Sequence, residues 1–254
     1  MVFGDAASER VMLNDSTLWA GGPIDPEVNP EAITFLPKVR EALFKGDFKL
    51  ADQLTKKLQG KYSQSYAPLG DLHIDASLPT GAGAEAFRRQ LDLQTATART
   101  SFSFGSASFT RDYFVSYPDR VLVIRLTASA PGALAFTVRA DSQLRRSVTV
   151  DGPGDLVLAG RAPKHAEPNY RRDIKDPLIY DDAPDGKGTR FAARVRILKT
   201  DGRVERGAAT VSVLGAREAL LAVAVDTSVT SFVAEPSLGP DPTLTTAGQP
   251  SCPL

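Results

Sequence analysis

From about Asp71 onward the chain consists of strand-like segments joined by short turns, and no helical pattern separates them. Between Phe109 and Tyr117 the side chains alternate, mostly apolar at odd positions and mostly polar at even ones, and Pro118-Asp119 then marks a turn. Further segments of this kind are 121–127, 134–138, 156–158, 191–198, 210–214 and 220–225. Strands connected in this way pair antiparallel. We therefore predict a mainly β protein, a large antiparallel β-sandwich (supersandwich).

Helical periodicity is confined to one early region near residues 30–60. Asn29 before Pro30 is typical of a helix start, and apolar residues then recur at helical spacing until Gly46. Asp47 can cap a second helix, which we expect to end at Gly60. The sequence therefore predicts a short αα-hairpin inserted into, or covering, the sandwich.

Composition excludes several classes of partner and cofactor. Lys+Arg and Asp+Glu both number 30, so the net charge is zero, which argues against nucleic acid or an anionic membrane as the main partner. The single cysteine, Cys252, rules out an intrachain disulfide and Cys-based metal sites, and two histidines, His73 and His165, rule out a three-histidine site. No apolar run approaches the roughly 20 residues of a membrane helix. We expect no metal, no cofactor and no membrane partner.

The two ends of the chain differ from those of an ordinary complete domain. Met1 to Asp5 has neither the basic region nor the apolar run of a signal peptide and resembles the middle of a strand. From Ala234 the chain is rich in Pro and Gly without periodic apolar residues. We expect residues 1–233 to form the domain and 234–254 a loose, disordered tail. Both ends suggest a piece of a longer protein, a complete small protein being the alternative; the cellular compartment stays open.

Common enzyme signatures fail on inspection. Gly81 to Ala86 fits a loose dinucleotide fingerprint, but no acidic residue follows at the required distance and the context is strand-to-strand. Gly186-Lys187 is followed by Gly188 instead of Ser or Thr, which excludes a phosphate-binding loop. The sequence also lacks G-x-S-x-G and the cysteine pair of zinc deaminases. No catalytic residue can be assigned.

An aspartate-rich loop offers oxygen ligands for calcium. Its carboxylates are Asp173, Asp176, Asp181, Asp182 and Asp185. Arg171, Arg172, Lys175 and Lys187 share the loop, and the spacing is not that of an EF-hand. These neighbours favour a solvated, ion-paired loop over a metal site.

Two loops carry side chains suited to carbohydrate. Sugars are held by aromatic faces and by planar polar groups that pair with hydroxyls. Trp19 lies beside Gly21-Gly22-Pro23, and a second irregular segment contains His165, Glu167, Asn169 and Tyr170. These five residues are our candidates for substrate binding or a domain interface. The alternatives are a core plug for Trp19 and, for the second loop, side chains that only hydrogen-bond to one another.

Five segments, in order along the chain, resemble motifs of glycoside hydrolase family 95, the α-L-fucosidases. They are Leu13 to Pro23 (LNDSTLWAGGP), Tyr66 to Leu72 (YAPLGDL), Arg88 to Leu93 (RRQLDL), Ala162 to Tyr170 (APKHAEPNY) and Gly186 to Phe191 (GKGTRF). Phe87 stands where the family has tyrosine. With weaker matches at both ends, the resemblance covers roughly residues 1–232.

The resemblance implies the N-terminal β-sandwich of an enzyme whose family is often secreted or periplasmic, and the lack of disulfides fits a bacterial protein. In that family the domain precedes an (α/α)6-barrel, which carries the catalytic residues and hydrolyses terminal α-1,2-linked L-fucose with inversion. This chain shows no barrel sequence, so we expect a non-catalytic domain that supports and partly walls the active site for a fucosylated oligosaccharide. A free-standing carbohydrate-binding sandwich is the alternative, and a fragment that folds poorly without its partner is a third possibility.

Overall fold

The computed structural model describes residues 1–23, 29–60, 64–78, 83–152, 154–171 and 174–248. Fifteen strands dominate it. They are β1 (Ser8–Leu13), β2 (Gly70–Ala76), β3 (Glu85–Asp92), β4 (Thr97–Phe104), β5 (Ala107–Ser116), β6 (Val121–Ala128), β7 (Leu134–Asp141), β8 (Arg145–Asp151), β9 (Asp155–Arg161), β10 (His165–Ala166), β11 (Leu178–Ile179), β12 (Arg190–Thr200), β13 (Arg203–Arg206), β14 (Val211–Ala216) and β15 (Glu218–Thr227). The helices are α1 (Ala32–Phe44), α2 (Phe48–Thr55) and α3 (Pro242–Gly248), with short 3-10 turns at Lys56–Leu58 and Pro236–Leu238.

The strands form two large antiparallel sheets and one small ribbon, which confirms the predicted sandwich. The larger sheet has eight strands in the order β3-β4-β5-β6-β15-β12-β9-β8, and the smaller has five in the order β1-β2-β7-β14-β13. Strands β10 and β11 pair separately. The edges of the larger sheet are β3 and β8, which expose the consecutive pairs Arg88-Arg89 and Arg145-Arg146.

The main core lies between the inner faces of the two sheets. Alternation along β15 shows how the sequence selects these faces, because Leu221 and Val223 belong to the core whereas Leu220 and Ala222 point outward. Among the largest fully buried side chains are Phe136 and Phe191, one from each sheet. The outward apolar residues of the larger sheet form a second, smaller cluster.

The predicted αα-hairpin is present, although its start differs from the prediction. Helix α1 begins after Glu31, and Asn29 does not cap it; the Asn29 amide instead donates to the carbonyls of Lys57 and Gln59 at the other end of the hairpin. Asp47 does cap α2, by accepting from the N–H of Leu50 at 3.0 Å. The 3-10 turn ends at Leu58, two residues before the predicted end.

The segment after Ala234 contains a helix where we predicted a loose tail. Asp241 accepts from the N–H of Thr243 at 2.9 Å and Pro242 occupies the first helical position, so α3 has a favourable start despite its many turn residues. Arg190 and Arg194 of β12 donate to the carbonyls of Gly239 and Thr243, which ties the segment to the larger sheet. Residues 249–254, including Cys252, lie outside the described residues.

A buried ion-pair network lies on the outer face of the larger sheet, next to α3. The carboxylate of Asp155 accepts from Arg196 at 2.7 Å and from Arg194 at 3.0 Å. Burial alone would raise the pKa of Asp155, but hydrogen bonds from Arg196 and Arg194 outweigh it and lower that pKa. The network therefore stabilises the folded protein only while Asp155 is ionised.

Stability should consequently fall on acidification through this carboxylate. Because the folded-state pKa lies below the unfolded value, the contribution is complete above about pH 4 and is lost as the pH falls through the folded pKa. We expect Asp155→Asn to be less stable at pH 7 but to lose less stability between pH 5 and pH 2 in urea titrations. Asp151→Asn is a matched control, because Asp151 contacts Arg194 at 3.2 Å from a mostly exposed position. Parallel pH profiles for wild type and Asp155→Asn would contradict the assignment.

Among the described residues, no helix combines the length and apolar character needed to cross a membrane.

Candidate functional site

Four of the five segments singled out by their motifs meet at one end of the sandwich. The N–H of Ala20 donates to Ser65 O at 2.9 Å and that of Gly21 donates to Pro163 O at 3.0 Å. The hydroxyl of Thr189 donates to Trp19 O at 2.9 Å. Loops 13–23, 64–69, 162–171 and 186–189 are thus hydrogen-bonded around Trp19. The fifth segment, in β3, lies at the far edge of the larger sheet.

Core contacts fix the position of the Trp19 loop. Leu18 and Leu69 are fully buried, and the N–H of Ala67 donates to Leu18 O at 3.0 Å. Gly21 has a φ of +77°, which favours glycine, and a Cβ there would lie 2.6 Å from Cγ of Gln64. The glycine at position 21 is therefore explained by a tight turn against the 64–69 loop.

The Trp19 ring is held in place and partly open to solvent. Its Nε1–H donates to Ser16 O at 3.0 Å, and its ring meets Tyr66 edge-on with centroids 5.3 Å apart. Burial, followed by the charge of Asp15, raises the pKa of the Tyr66 phenol, so Tyr66 stays neutral around pH 7. The Trp19 side chain is 46% exposed, which excludes the core-plug alternative.

A cleft of about 570 Å³ opens beside this ring. One wall comes from the Trp19 loop and the other from the segment that follows β15. The lining residues are Ser16, Thr17, Trp19, Ala20, Gly21, Gly22, Pro23, Thr189, Val229, Thr230, Ser231, Phe232, Ala234 and Pro236. Within the described part of the chain, this lining has no charged residue and combines apolar surface with several hydroxyls.

His165 and Glu167 form a separate polar cluster behind the Trp19 loop. His165 Nε2 lies 3.2 Å from Glu167 Oε1, and His165 Nδ1 lies 3.3 Å from the amide of Gln64. Arg171 contacts the other Glu167 oxygen at 3.5 Å, and Gln64 Oε1 accepts from the N–H of Ala166. Both Glu167 oxygens are thus engaged by neighbours. These contacts hold the His165 loop against the 64–69 loop.

Asn169 and Tyr170 occupy the turn that follows this cluster, and both are exposed. The Tyr170 side chain is 67% exposed. None of the five candidates is fully buried, but they divide between two neighbouring features. Trp19 lines the cleft, whereas the other four lie on the adjoining loop and are not among the cleft-lining residues.

Gln64 and Glu235 contribute to this region and were not identified from the sequence. Gln64 bridges Gly21 and the His165 loop. Glu235 is half-buried beside Gly22, where a Cβ would lie 3.0 Å from Glu235 Oε2. The YAPLGDL segment, which begins two residues after Gln64, was a signal that this loop matters, but no signal marked Glu235.

The described residues contain no group of three or more His, Cys, Asp or Glu side chains that could hold a metal ion. In the aspartate-rich loop, Asp181 accepts from the N–H groups of Lys187 and Ala183, which lower its pKa. Asp173 lies outside the described residues, as do Gly81 and Ala82 of the discarded fingerprint. The site therefore consists of an aromatic, hydroxyl-lined cleft beside a loop with a His–Glu pair.

Comparison with family models identifies this sandwich. The model described as "Glycosyl hydrolase family 65, N-terminal domain" matches residues 1–231. The chain belongs to this family of glycosyl hydrolase N-terminal domains. The matched range ends four residues after β15 and so includes both large sheets and the Trp19 and His165 loops.

Curated relatives of this glycosyl hydrolase domain are named as fucosidases. Over 205 residues it is 33% identical to "Alpha-L-fucosidase 2" of Arabidopsis thaliana, covering 79% of this chain and 24% of that protein. It is also 32% identical to "Probable alpha-fucosidase A" of Aspergillus niger over 136 residues, covering 51% of this chain and 17% of that protein. The chain therefore spans about a quarter or less of the length of these relatives.

The comparisons support an α-fucosidase-like glycosyl hydrolase N-terminal domain. The matching model names family 65, whereas the five motifs resemble family 95, so the assignment to family 95 remains a prediction. The relatives quoted are from a plant and a fungus, so the expected bacterial origin also remains untested.

Proposed function

We propose that this chain is the non-catalytic N-terminal sandwich of an α-L-fucosidase of family 95, which hydrolyses terminal α-1,2-linked L-fucose with inversion. In this proposal an (α/α)6-barrel supplies the acid and the base, and the sandwich supports the barrel and forms part of the wall of its active site. The observation that carries the proposal is the convergence of four motif segments at one end of the fold, with Trp19 and Tyr170 exposed there.

If the motif segments contributed only to the core, their large side chains would all be buried. Leu18 and Leu69 are buried, but Trp19 and Tyr66 in the same two segments are 46% and 41% exposed. The 186–189 loop before β12 and the His165 loop are tied to the same point through Thr189 and Pro163. The core of the sandwich thus holds this exposed surface in a fixed shape. A domain that supports a neighbouring catalytic domain requires such a surface.

Apolar side chains near the cleft offer a surface for a neighbouring domain. Phe232 and Val233 are 92% and 69% exposed next to the cleft, and Leu238 is 84% exposed on the same segment. Large exposed apolar side chains grouped in this way mark interaction sites more often than ordinary surface. They support an interface for the barrel at this end of the sandwich.

The polar residues of the site support a positioning role. Inverting hydrolysis needs an acid and a base about 6.5–9.5 Å apart on opposite faces of the sugar. Glu167 is engaged on both oxygens by His165 and Arg171. It therefore orients the loop, and we propose that Asn169 and Tyr170 on the same loop face the substrate or the barrel.

We expect the pure chain to release no fucose from an α-1,2-fucosylated galactoside. The Arabidopsis relative provides the positive control for the assay. A chimaera in which this chain replaces the matching part of that relative should retain fucosidase activity, and deletion of that part should abolish it. Turnover by this chain alone, or full activity of the deleted relative, would contradict the proposal. Sugar binding by the chain together with an inactive chimaera would favour the free-standing carbohydrate-binding alternative.

A further inference from the structure

We propose that the cleft between the Trp19 loop and the segment after β15 is a binding site for a neutral pyranose, with the Trp19 ring as its stacking face and Glu235 as the carboxylate at its edge. The inference rests on the proposed function only in taking the ligand to be a carbohydrate. It requires neither hydrolysis nor the barrel.

The Trp19 ring meets the requirements of a stacking platform. Pyranose rings bind through their C–H faces to aromatic rings, and the interaction is stronger when the ring does not need to be ordered on binding. Trp19 is fixed by its hydrogen bond to Ser16 O and by the edge of Tyr66, yet 46% of it is exposed. The cleft of about 570 Å³ beside it lies within the range of small-molecule sites.

The lining indicates that the sugar is uncharged. The described lining residues combine apolar side chains with the hydroxyls of Ser16, Thr230 and Ser231, and none of them carries a charge. A uronate or a phosphosugar would lose hydration in this cleft without a cation to compensate. A neutral sugar has an apolar face for Trp19 and hydroxyls for the polar groups.

Glu235 supplies a directional hydrogen-bond acceptor at the edge of the cleft. Glu235 is not itself among the lining residues, but it lies between two of them, Ala234 and Pro236, and its carboxylate packs against a third, Gly22. Its Oε1 accepts from the Ser237 hydroxyl at 3.3 Å, which orients the group and places Oε2 nearest to Gly22. Because a carboxylate can accept from two adjacent sugar hydroxyls, Glu235 would select the hydroxyl arrangement of the ligand.

The second wall is held in position by contacts away from the cleft. The hydroxyl of Ser228 accepts from the N–H of Arg190, whose guanidinium donates to Gly239 O at 2.6 Å. A Cβ at Gly239 would lie 1.7 Å from Ser228 O, so the chain crosses itself too closely for any other residue. Residues 229–236 are thus fixed at both ends, which gives the cleft a preformed shape.

The test uses the fluorescence of Trp19, the single tryptophan of the chain. We expect L-fucose or D-galactose to give a saturable change with a dissociation constant on the order of millimolar, and D-glucuronate to bind at least about tenfold more weakly. Glu235→Gln, which keeps the shape and removes the charge, should weaken binding about tenfold or more. Trp19→Phe, followed by ligand-observed NMR, should also lose most of the affinity.

Tyr117→Ala is the matched control, since Tyr117 is 90% exposed and is not among the cleft-lining residues. It should bind like wild type, and all variants should keep the wild-type thermal transition. The absence of a saturable signal with any neutral sugar up to about 100 mM, or wild-type affinity in Trp19→Phe and Glu235→Gln, would overturn the site. An active chimaera combined with no binding here would reject this inference and leave the proposed function standing.

Discussion

Replacement of Glu9 by alanine is expected to lower the free energy of unfolding by about 3–5 kcal/mol. Glu9 is fully buried on β1 and accepts from the N–H of Gly4 at 2.7 Å and from the Tyr113 hydroxyl at 2.9 Å. Its carboxylate also lies 3.9 Å from Arg111, which is itself buried. Alanine would leave a buried cation and two buried donors without this acceptor.

Two milder variants separate the parts of this effect. Glu9→Gln keeps an acceptor and removes the charge, so its loss should be intermediate. Tyr113→Phe removes one hydrogen bond to the buried carboxylate and should cost about 1.5–3 kcal/mol. Burial, followed by the charge of Glu9, raises the pKa of Tyr113 far above its usual range, so its hydroxyl remains a donor at every pH suitable for the experiment. Urea unfolding at pH 7 provides the measurement, and a loss below about 1 kcal/mol for Glu9→Ala would show that the network is not stabilising.

Replacement of Phe191 by alanine is expected to cost a similar amount, about 3–5 kcal/mol. Phe191 is fully buried at the start of β12 and pairs with Gly160 of β9 and Thr227 of β15. Its ring fills the space over Gly160, where a Cβ would lie 2.5 Å from the Phe191 Cζ atom. Removing the ring would leave a cavity within the larger sheet, and Gly160 has no side chain that could fill it.

Phe114→Ala is the matched control for this substitution. Phe114 lies on β5 of the same sheet but is 41% exposed, so its loss should be about 1 kcal/mol or less. Because Thr189 directly precedes β12 and holds Trp19 O, Phe191→Ala should also shift the Trp19 fluorescence. Equal stability of the Phe191→Ala and Phe114→Ala variants would contradict the packing assigned to Phe191.

The sandwich could be predicted from the sequence because a pattern with period two directly determines which side chains enter the core. Strand β5 shows this, since Phe109, Arg111 and Tyr113 are all buried and alternate with more exposed residues. The same rule would have placed Glu9 in the core, on the same face of β1 as Val11. Because Glu9 is charged, it was not recognised as a buried residue, although the alternation along β1 indicates that it is.

Helix α3 was missed because turn-forming residues dominate the composition of its segment. Its start signal was nevertheless present, as an aspartate followed by a proline, Asp241-Pro242, and the helix is stabilised by contacts to β12 that no local pattern reveals. The cleft itself was not predicted, because contacts between distant segments position its second wall. Trp19 stood out by its residue type, whereas Glu235 reaches the site through a chain path fixed by Arg190 and Gly239.

The arginine pairs at both edges of the larger sheet affect how copies of the protein behave at high concentration. Arg88-Arg89 and Arg145-Arg146 stand beside the unpaired backbone groups of β3 and β8, which could otherwise accept a strand from another molecule. Antiparallel pairing of two β3 strands about their midpoint would bring the guanidinium groups of Arg88 and Arg89 face to face. Such repulsion would disfavour growth of this open-edged sheet by strand addition at β3.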